Sequence, residues 1–129
     1  MKDETKIWLK YSRENLRSAR LLLESGLFNP CLQNVQQAVE KGLKALVVES
    51  SLKLKKTHSI NELRNTLLPL CLKLNLSEEE CDLLDAIYLP SKYPLGAVLP
   101  DFEPDGEICE RCMAIAERVD DFLEKHLKG

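Results

Sequence analysis

Apolar side chains recur every three or four residues along most of this sequence, and alternating apolar and polar residues are nearly absent. The first spacing places apolar side chains on one face of an α-helix, whereas strict alternation is typical of a β-strand. The pattern therefore limits the chain to helical folds. A chain of 129 residues buries about two-thirds of its unfolded surface when it folds around one core. We expect a single domain over residues 1–129.

Capping signals divide this pattern into helices. Gly26 suits a helix C-terminus, and Asn29 followed by Pro30 suits an N-terminus. Ser and Glu three residues apart form a capping box at Ser59 and again at Ser77, and Asp105 can cap a last helix. The sequence predicts helices over residues 4–25, 29–49 and 107–127, with a third that starts near Ser59 and kinks or ends at Pro69 and a fourth that starts near Ser77.

Each predicted helix has an apolar face. These faces are Trp8, Tyr11, Asn15, Ala19, Leu22 and Leu23; Leu32, Val35, Val39, Leu43 and Leu46; Ile60, Leu63, Leu67 and Cys71; Cys81, Leu84, Ile87 and Tyr88; and Ile108, Cys112, Ile115, Val119, Phe122, Leu123 and His126. Residues 89–106 are rich in proline and are predicted not to form regular helix. Long helices with short connections predict an all-α, up-and-down antiparallel bundle of four to five helices.

Charge is distributed unevenly along the chain. The net charge is -3, but residues 1–64 carry 12 Lys and Arg against 7 Asp and Glu, whereas residues 65–129 carry 6 against 14. A stripe of Arg13, Arg17 and Arg20 is either solvated or able to contact nucleic acid or an acidic partner. Aromatic residues make up only 5% of the chain, which argues against a protein that stacks the successive bases of a single strand.

The expected environment is the cytoplasm. The first six residues are mostly charged, no apolar stretch follows them, and no run is long enough to span a membrane. An odd number of cysteines, five, indicates reduced thiols. Cys109 and Cys112 lack a second cysteine pair and a neighbouring histidine, so we interpret them as ordinary residues of the last helix rather than zinc ligands. We expect no metal and no cofactor.

Three stretches occur in a recognisable order. They are Gln36-Gln37-Ala38-Val39-Glu40-Lys41-Gly42-Leu43-Lys44-Ala45-Leu46, then His58-Ser59-Ile60-Asn61-Glu62-Leu63, then Tyr88-Leu89-Pro90-Ser91-Lys92-Tyr93-Pro94. Together they resemble the HEPN family, named for higher eukaryotes and prokaryotes nucleotide-binding, over about residues 6–127. The resemblance implies a helical bundle that is often a homodimer. It also implies a minimal nucleotidyltransferase as a partner, in toxin–antitoxin or related systems, and metal-independent ribonuclease activity in many members.

The chain departs from the family at two places. Ribonuclease members carry an Arg, four to six residues and then a His, but here seven residues separate Arg118 from His126, and the nearest arginine before His58 is Arg20. The family loop usually reads Arg-Tyr-Pro, and here it reads Lys92-Tyr93-Pro94, without the bidentate fork of arginine. The usual ribonuclease spacing is therefore absent.

A nucleotide-binding surface is the remaining candidate site. Lys41 and Lys44 share a polar strip of the second helix with Gln37, and Lys92 and Tyr93 lie on the proline-rich segment. Lysine can bind phosphate and tyrosine can stack on a base, although a solvated helix face explains the same pattern. His58, just before a helix, is expected to be structural.

We therefore predict a non-catalytic binding and interaction module. It would form a homodimer, recognise a nucleotide or RNA, and partner a nucleotidyltransferase. The alternative is a divergent metal-independent ribonuclease that uses Arg118 and His126, or a composite site across a dimer.

Overall fold

The computed structural model describes residues 1–70, 72–92 and 103–127, and only the backbone of residues 88–92. These parts of the chain contain no β-strand and five α-helices. The helices are α1 (Asp3–Glu24), α2 (Phe28–Glu49), α3 (Ile60–Leu67), α4 (Glu78–Lys92) and α5 (Gly106–His126), with a turn of 3₁₀-helix at Leu68–Leu70 after α3. The predicted all-α helical bundle is confirmed. None of the described helices has the length and apolar character needed to cross a membrane.

The second helix lies at the centre of the bundle. α2 packs against α1, α3, α4 and α5, most extensively against α1. Its predicted apolar stripe is buried in full: Leu32, Val35, Val39, Leu43 and Leu46. Because neighbours surround α2, burial extends beyond that stripe to polar residues.

The predicted apolar face of α1 is confirmed only in part, because Ala19 is buried and Leu22 and Leu23 pack against the core, but Tyr11 does not. The buried residues are Thr5, Leu9, Ser12, Leu16 and Ala19, alternately four and three apart. Trp8 is only half-buried and Tyr11 is exposed. Short hydroxyl side chains occupy the interface because α2 satisfies their hydrogen bonds: Ser12 Oγ donates to Ala38 O at 2.7 Å and Thr5 Oγ1 to Glu49 Oε1 at 3.0 Å. Small residues there also let the two backbones approach closely.

The connection from α1 to α2 turns at Gly26, as predicted. Gly26 has a φ of 72°, and Leu27 N donates to Leu22 O at 2.9 Å, which closes α1 with a Schellman turn. The prediction that Asn29 caps α2 is wrong. α2 begins at Phe28, and Leu27 precedes it without a side-chain cap. Pro30 therefore stands third in the helix, where a missing N–H loses no helical hydrogen bond.

The capping residues of the other helices are confirmed. Ser59 Oγ accepts from Glu62 N at 3.2 Å, and the capping box before α4 is reciprocal, with Glu80 N donating to Ser77 Oγ at 3.1 Å and Ser77 N donating to Glu80 Oε1 at 3.0 Å. The side chain of Asp105 caps α5. α3 ends at Leu67, just before the proline of the 3₁₀ turn.

Two predictions about the second half of the chain need correction. α4 continues past Pro90 to Lys92, and Gly106 is already the first residue of α5, so only residues 93–102 of the predicted irregular segment lie outside the described residues. Proline tolerates helical φ and removes one hydrogen bond, which a helix can lose in its last turn. His126 is exposed rather than buried, with its ring stacked on that of Phe122 at a centroid distance of 5.3 Å.

Candidate functional site

A polar stripe runs inside the bundle along α2. Gln36, Glu40 and Lys44, four residues apart, expose only 0%, 2% and 8% of their surface. Charged residues are rarely buried unless they are paired. Their burial therefore requires polar partners.

Glu40 is the centre of this network. Lys44 Nζ lies 3.0 Å from Glu40 Oε2, and His58 Nδ1 lies 3.0 Å from Glu40 Oε1. The amide of Gln36 donates to the backbone oxygen of His58 at 2.9 Å. The side chain of Glu40 is 3% exposed, whereas that of His58 is 64% exposed. The carboxylate is thus deep, and the imidazole connects it to the surface.

Two aromatic rings of α1 lie beside the lysines of α2. Lys44 Nζ is 5.2 Å from the ring centroid of Trp8, and Lys41 Nζ is 5.9 Å from that of Tyr11. Both distances allow cation–π attraction. Lys41 Nζ also donates to Asn15 Oδ1 at 2.8 Å. We call this surface the α1–α2 face: Trp8, Tyr11, Asn15, Lys41 and Lys44.

The structure brings together two of the four predicted binding residues. Lys41 and Lys44 are both in the α1–α2 face, and Gln37 donates to the side chain of Gln36 at 2.9 Å. Lys92 is the last residue of α4, with only its backbone described, and Tyr93 lies outside the described residues. Lys44 is buried and already paired with Glu40, so Lys41 is the more available cation.

The alternative catalytic pair has other partners. One guanidinium nitrogen of Arg118 donates to Asn75 Oδ1 at 3.3 Å and another to the carboxylate of Glu80, so the fork of Arg118 ties α5 to the first turn of α4 and to the segment before it. His126 stacks on Phe122. Eight residues along one helix correspond to a rise of about 12 Å, and no described contact joins Arg118 to His126.

Two residues of the arginine stripe lie near carboxylates of α5. Arg13 Nε is 3.7 Å from Asp120 Oδ1, and Arg20 Nε is 3.5 Å from Glu117 Oε1.

Among the described residues, four cysteines are reduced and fully buried: Cys31, Cys81, Cys109 and Cys112. Burial raises the pKa of Cys109 and of Cys112 to about 12. These properties are typical of core thiols, as we interpreted Cys109 and Cys112 above.

One group in the described part of the chain could converge on a cation. Carboxylate oxygens of Asp120, Asp121 and Glu124 lie within 4.8 Å of one another, and two of these residues are exposed. Exposed acidic groups on one helix commonly hold no ion, so this cluster does not define a site.

Sequence reasoning missed the two rings and the buried acid. The apolar pattern places Trp8 and Tyr11 in the core, and it gives Glu40 no role beyond the motif. The four-residue spacing of Gln36, Glu40 and Lys44 was the available signal, since such residues share one helix face. Only the packing of α1 and of the segment before α3 shows that this face is covered.

Its helices place this chain among the helical-bundle proteins, and its similarity to a known family model identifies the family. The HEPN domain model matches residues 5–126. The chain belongs to the HEPN domain family, and the predicted family resemblance is confirmed.

Two solved structures share the fold. TT1696 from Thermus thermophilus is 27% identical, with a TM-score of 0.79 over 98% of this chain and 100% of that one. ST0689, an archaeal HEPN homologue, is 25% identical, with a TM-score of 0.73 over 99% and 100%. No curated protein matches the sequence significantly.

Proposed function

We propose that this protein is a non-catalytic HEPN module that binds a nucleotide, free or at the end of an RNA, on the α1–α2 face. The observation that carries the proposal is the placement of Lys41 beside Tyr11 and of Lys44 beside Trp8. Cations next to aromatic rings suit a ligand that has both phosphate and base.

Each part of the face has a distinct role in this proposal. Tyr11 is 46% exposed, so its ring has a free surface on which a base can stack. Lys41 is held near that ring by Asn15, and its ammonium binds phosphate as a point charge. Lys44, neutralised by Glu40, orients Trp8 rather than supplying net charge. Lys92 and Tyr93, predicted from the sequence, are proposed as an extension of this set of ligand contacts.

Calorimetry with ATP, GTP and UMP tests this binding site. We expect Lys41→Ala and Tyr11→Ala each to weaken binding by about tenfold, since loss of a stacking or charge contact is worth about 1 kcal/mol or more. Lys92→Ala tests the extension. Lys56→Ala, an exposed lysine before α3, is the matched control and should bind as the unmodified protein does. Absence of heat with all three nucleotides would refute the proposal.

The non-catalytic part of the proposal rests on Arg118 and His126. A metal-independent ribonuclease needs a base, an acid and a cation at one phosphate, and Arg118 is engaged by Glu80 instead. Incubation with RNA in EDTA should therefore give no cleavage beyond that of a His126→Ala preparation. Cleavage that disappears in this variant would establish the ribonuclease alternative.

Self-association and a nucleotidyltransferase partner complete the proposal. Ile7 and Leu21 of α1 are 51% and 56% exposed, which is apolar surface that a second copy or a partner can cover. Sedimentation equilibrium should give twice the chain mass. Co-expression with a minimal nucleotidyltransferase from the same genome should give a complex that co-elutes in gel filtration, as expected for a toxin–antitoxin-like pair. A monomer that elutes alone would refute this part and leave the nucleotide site untouched.

A further inference from the structure

A second surface of α1 lies away from the α1–α2 face. An open groove of about 470 Å³ runs along the N-terminal half of the helix. Met1 and the aliphatic stems of the long side chains that line it supply apolar surface, and Leu9 lies almost fully buried beneath it. The floor of the groove is therefore apolar, and the groove is open to solvent.

Four cations follow this groove. Lys6, Lys10, Arg13 and Arg17 are spaced four, three and four residues apart, which places them on one helix face over a length of about 16 Å. Glu14 is the single acid among the described residues that line the groove. The result is a continuous basic border along an apolar floor.

Most of these charges are not neutralised. Arg13 is 3.7 Å from Asp120, but the side chains of Lys6, Lys10 and Arg17 form no ion pair or hydrogen bond with the described side chains of residues 1–70, 72–87 and 103–127. Like charges along one helix repel each other. An anionic ligand in the groove would remove that repulsion.

We propose that this groove docks an acidic amphipathic segment of a partner protein. Leucine-like side chains of the segment would cover Met1 and the aliphatic stems of the groove, and its carboxylates would reach the charged ends of Lys6, Lys10 and Arg17. Burial of apolar surface supplies affinity, and the charge complementarity supplies orientation and speed of association.

Two features of the lining favour a peptide over nucleic acid. Among the described residues, no aromatic ring lines the groove, so these residues offer bases no stacking surface. The carboxylate of Glu14 would repel a phosphate backbone, and the apolar floor would be left without a partner. An amphipathic peptide matches both the floor and the border.

The docking groove and the proposed nucleotide site are separate. At about 100° per residue, the centre of Lys6, Lys10, Arg13 and Arg17 lies about 160° around α1 from the centre of Trp8, Tyr11 and Asn15. One molecule can therefore use both surfaces at once. The docking proposal goes beyond the nucleotide proposal and does not depend on it.

Fluorescence anisotropy with a labelled synthetic peptide tests the proposal. The probe is a helical peptide of about 16 residues, long enough to follow the groove, with Leu at i, i+3, i+4 and i+7 spacing and Glu elsewhere. We expect saturable binding that weakens at least about tenfold in Lys10→Glu/Arg17→Glu, because both positions are exposed and the charge of the groove is reversed. Lys53→Glu/Lys55→Glu is the matched control, with the same change in charge at exposed positions before α3, and should bind normally.

The other possible results of this experiment also test the docking proposal. A peptide with Ser in place of every Leu should bind more weakly, and equal binding would overturn the role of the apolar floor. Failure of the leucine peptide to bind, or equal weakening in the control variant, would overturn the proposal. Tighter binding of single-stranded oligouridine, lost in Lys10→Glu/Arg17→Glu, would make the groove a nucleic-acid surface instead. Calorimetry of this variant with nucleotides should be unchanged, which keeps this test independent of the proposed function.

Discussion

Gly42 and Leu123 lie so close where α2 meets α5 that no side chain fits between them. A Cβ on Gly42 would be 2.7 Å from Leu123 Cδ1 and 3.2 Å from Ser12 Oγ. Leu123 is fully buried and Ser12 is hydrogen-bonded to α2, so neither can move aside without loss. Close packing at Gly42 therefore sets the distance of α2 from both α1 and α5.

Gly42→Ala should destabilise the protein, although alanine is the better helix former by about 1 kcal/mol. Overpacking in a dense core costs about 1–3 kcal/mol, and we expect a net loss of about 1 kcal/mol in urea unfolding. Gly106→Ala is the control. Its Cβ would lie 3.6 Å from the ring of Phe28, an ordinary contact, so it should be neutral or stabilising. An equal loss at both positions would contradict this explanation.

The buried pair of Glu40 and Lys44 should be sensitive to removal of one partner. Their side chains are 3% and 10% exposed, so Lys44→Met leaves a carboxylate in the core with fewer partners. We expect a loss of about 3 kcal/mol in the free energy of unfolding. Glu40→Gln/Lys44→Met should lose less than the sum of the two single variants, because the second change removes the uncompensated charge.

Lys41→Met is the control for that pair. The ammonium of Lys41 is half-buried and hydrogen-bonded to the neutral side chain of Asn15. We therefore expect Lys41→Met to lower the free energy of unfolding by less than about 1 kcal/mol. A loss at Lys41 as large as that at Lys44 would show that the buried charge is not the cause.

The two turns that end α1 and α2 should respond in opposite directions to exchange of glycine. Gly26 and Ser51 have φ values of 72° and 59°, and a residue with a Cβ is strained there by about 1 kcal/mol. Ser51→Gly should therefore stabilise the protein by up to about 1 kcal/mol, despite loss of the exposed hydrogen bond from Lys2. Gly26→Ala should destabilise it by a similar amount, since nothing lies within 4 Å of its Cβ and only backbone strain acts. Thermal unfolding of both variants measures the difference, and shifts in the same direction would refute it.

The buried thiols should resist alkylation in the folded protein. Burial raises the pKa of Cys81, Cys109 and Cys112 to about 12, so only about one thiol in ten thousand is ionised at pH 8. Iodoacetamide should label them at least about a hundredfold more slowly than in urea, where burial is lost. Peptide mass spectrometry reads each cysteine separately. Rapid labelling of Cys109 or Cys112 without urea would contradict the core interpretation.

The spacing of apolar residues was sufficient to predict the buried face of α2 but not that of α1. Leu43 and Leu46 are large and apolar, so spacing alone identifies the core face of α2. Thr5 and Ser12 are buried because backbone and side-chain acceptors of α2 receive their hydroxyl hydrogens, and that information belongs to the pair of helices. As a consequence, Trp8, the largest apolar residue of α1, lies at the edge of the interface between α1 and α2.

The candidate site shows the same limit. Glu40 and Lys44 form an i,i+4 pair that is usually solvated, and nothing within α2 indicates that His58 and Trp8 cover it. The motif therefore predicted the family but not the network. Lys41 was predicted as a ligand cation, and its neighbours Tyr11 and Asn15 come from a helix whose register the sequence pattern did not reveal.

Two carboxylates, Asp120 of α5 and Glu80 of α4, should give opposite dependences of stability on pH. Burial raises the pKa of Asp120 above its ordinary value of 3.8, and the nearby Arg13 offsets this only in part. Asp120 Oδ1 is buried and accepts no hydrogen bond from the described residues. Burial also acts on Glu80, but hydrogen bonds from Ser77 and Arg118 outweigh it and lower the pKa of Glu80 below 4.5.

The sign of each effect follows from proton linkage. The folded state holds the proton of Asp120 more tightly than the unfolded state, so Asp120 favours folding at acidic pH, and this stability is lost as the pH rises through its raised folded pKa. Glu80 stabilises the fold above its ordinary pKa, and that stability is lost as the pH falls through its lowered folded pKa. Asp120→Asn should therefore stabilise the protein at neutral pH by up to about 1 kcal/mol, and Glu80→Gln should destabilise it by about 1 kcal/mol.

Urea unfolding at neutral pH and at about pH 3 separates these effects from packing. Both differences from the unmodified protein should shrink at the lower pH, where the two carboxyls approach their protonated forms and resemble the amides. A gain in Asp120→Asn or a loss in Glu80→Gln that persists unchanged at about pH 3 would assign it to shape rather than charge. Destabilisation of Asp120→Asn at neutral pH would show instead that Arg13, at 3.7 Å, compensates the buried carboxylate in full.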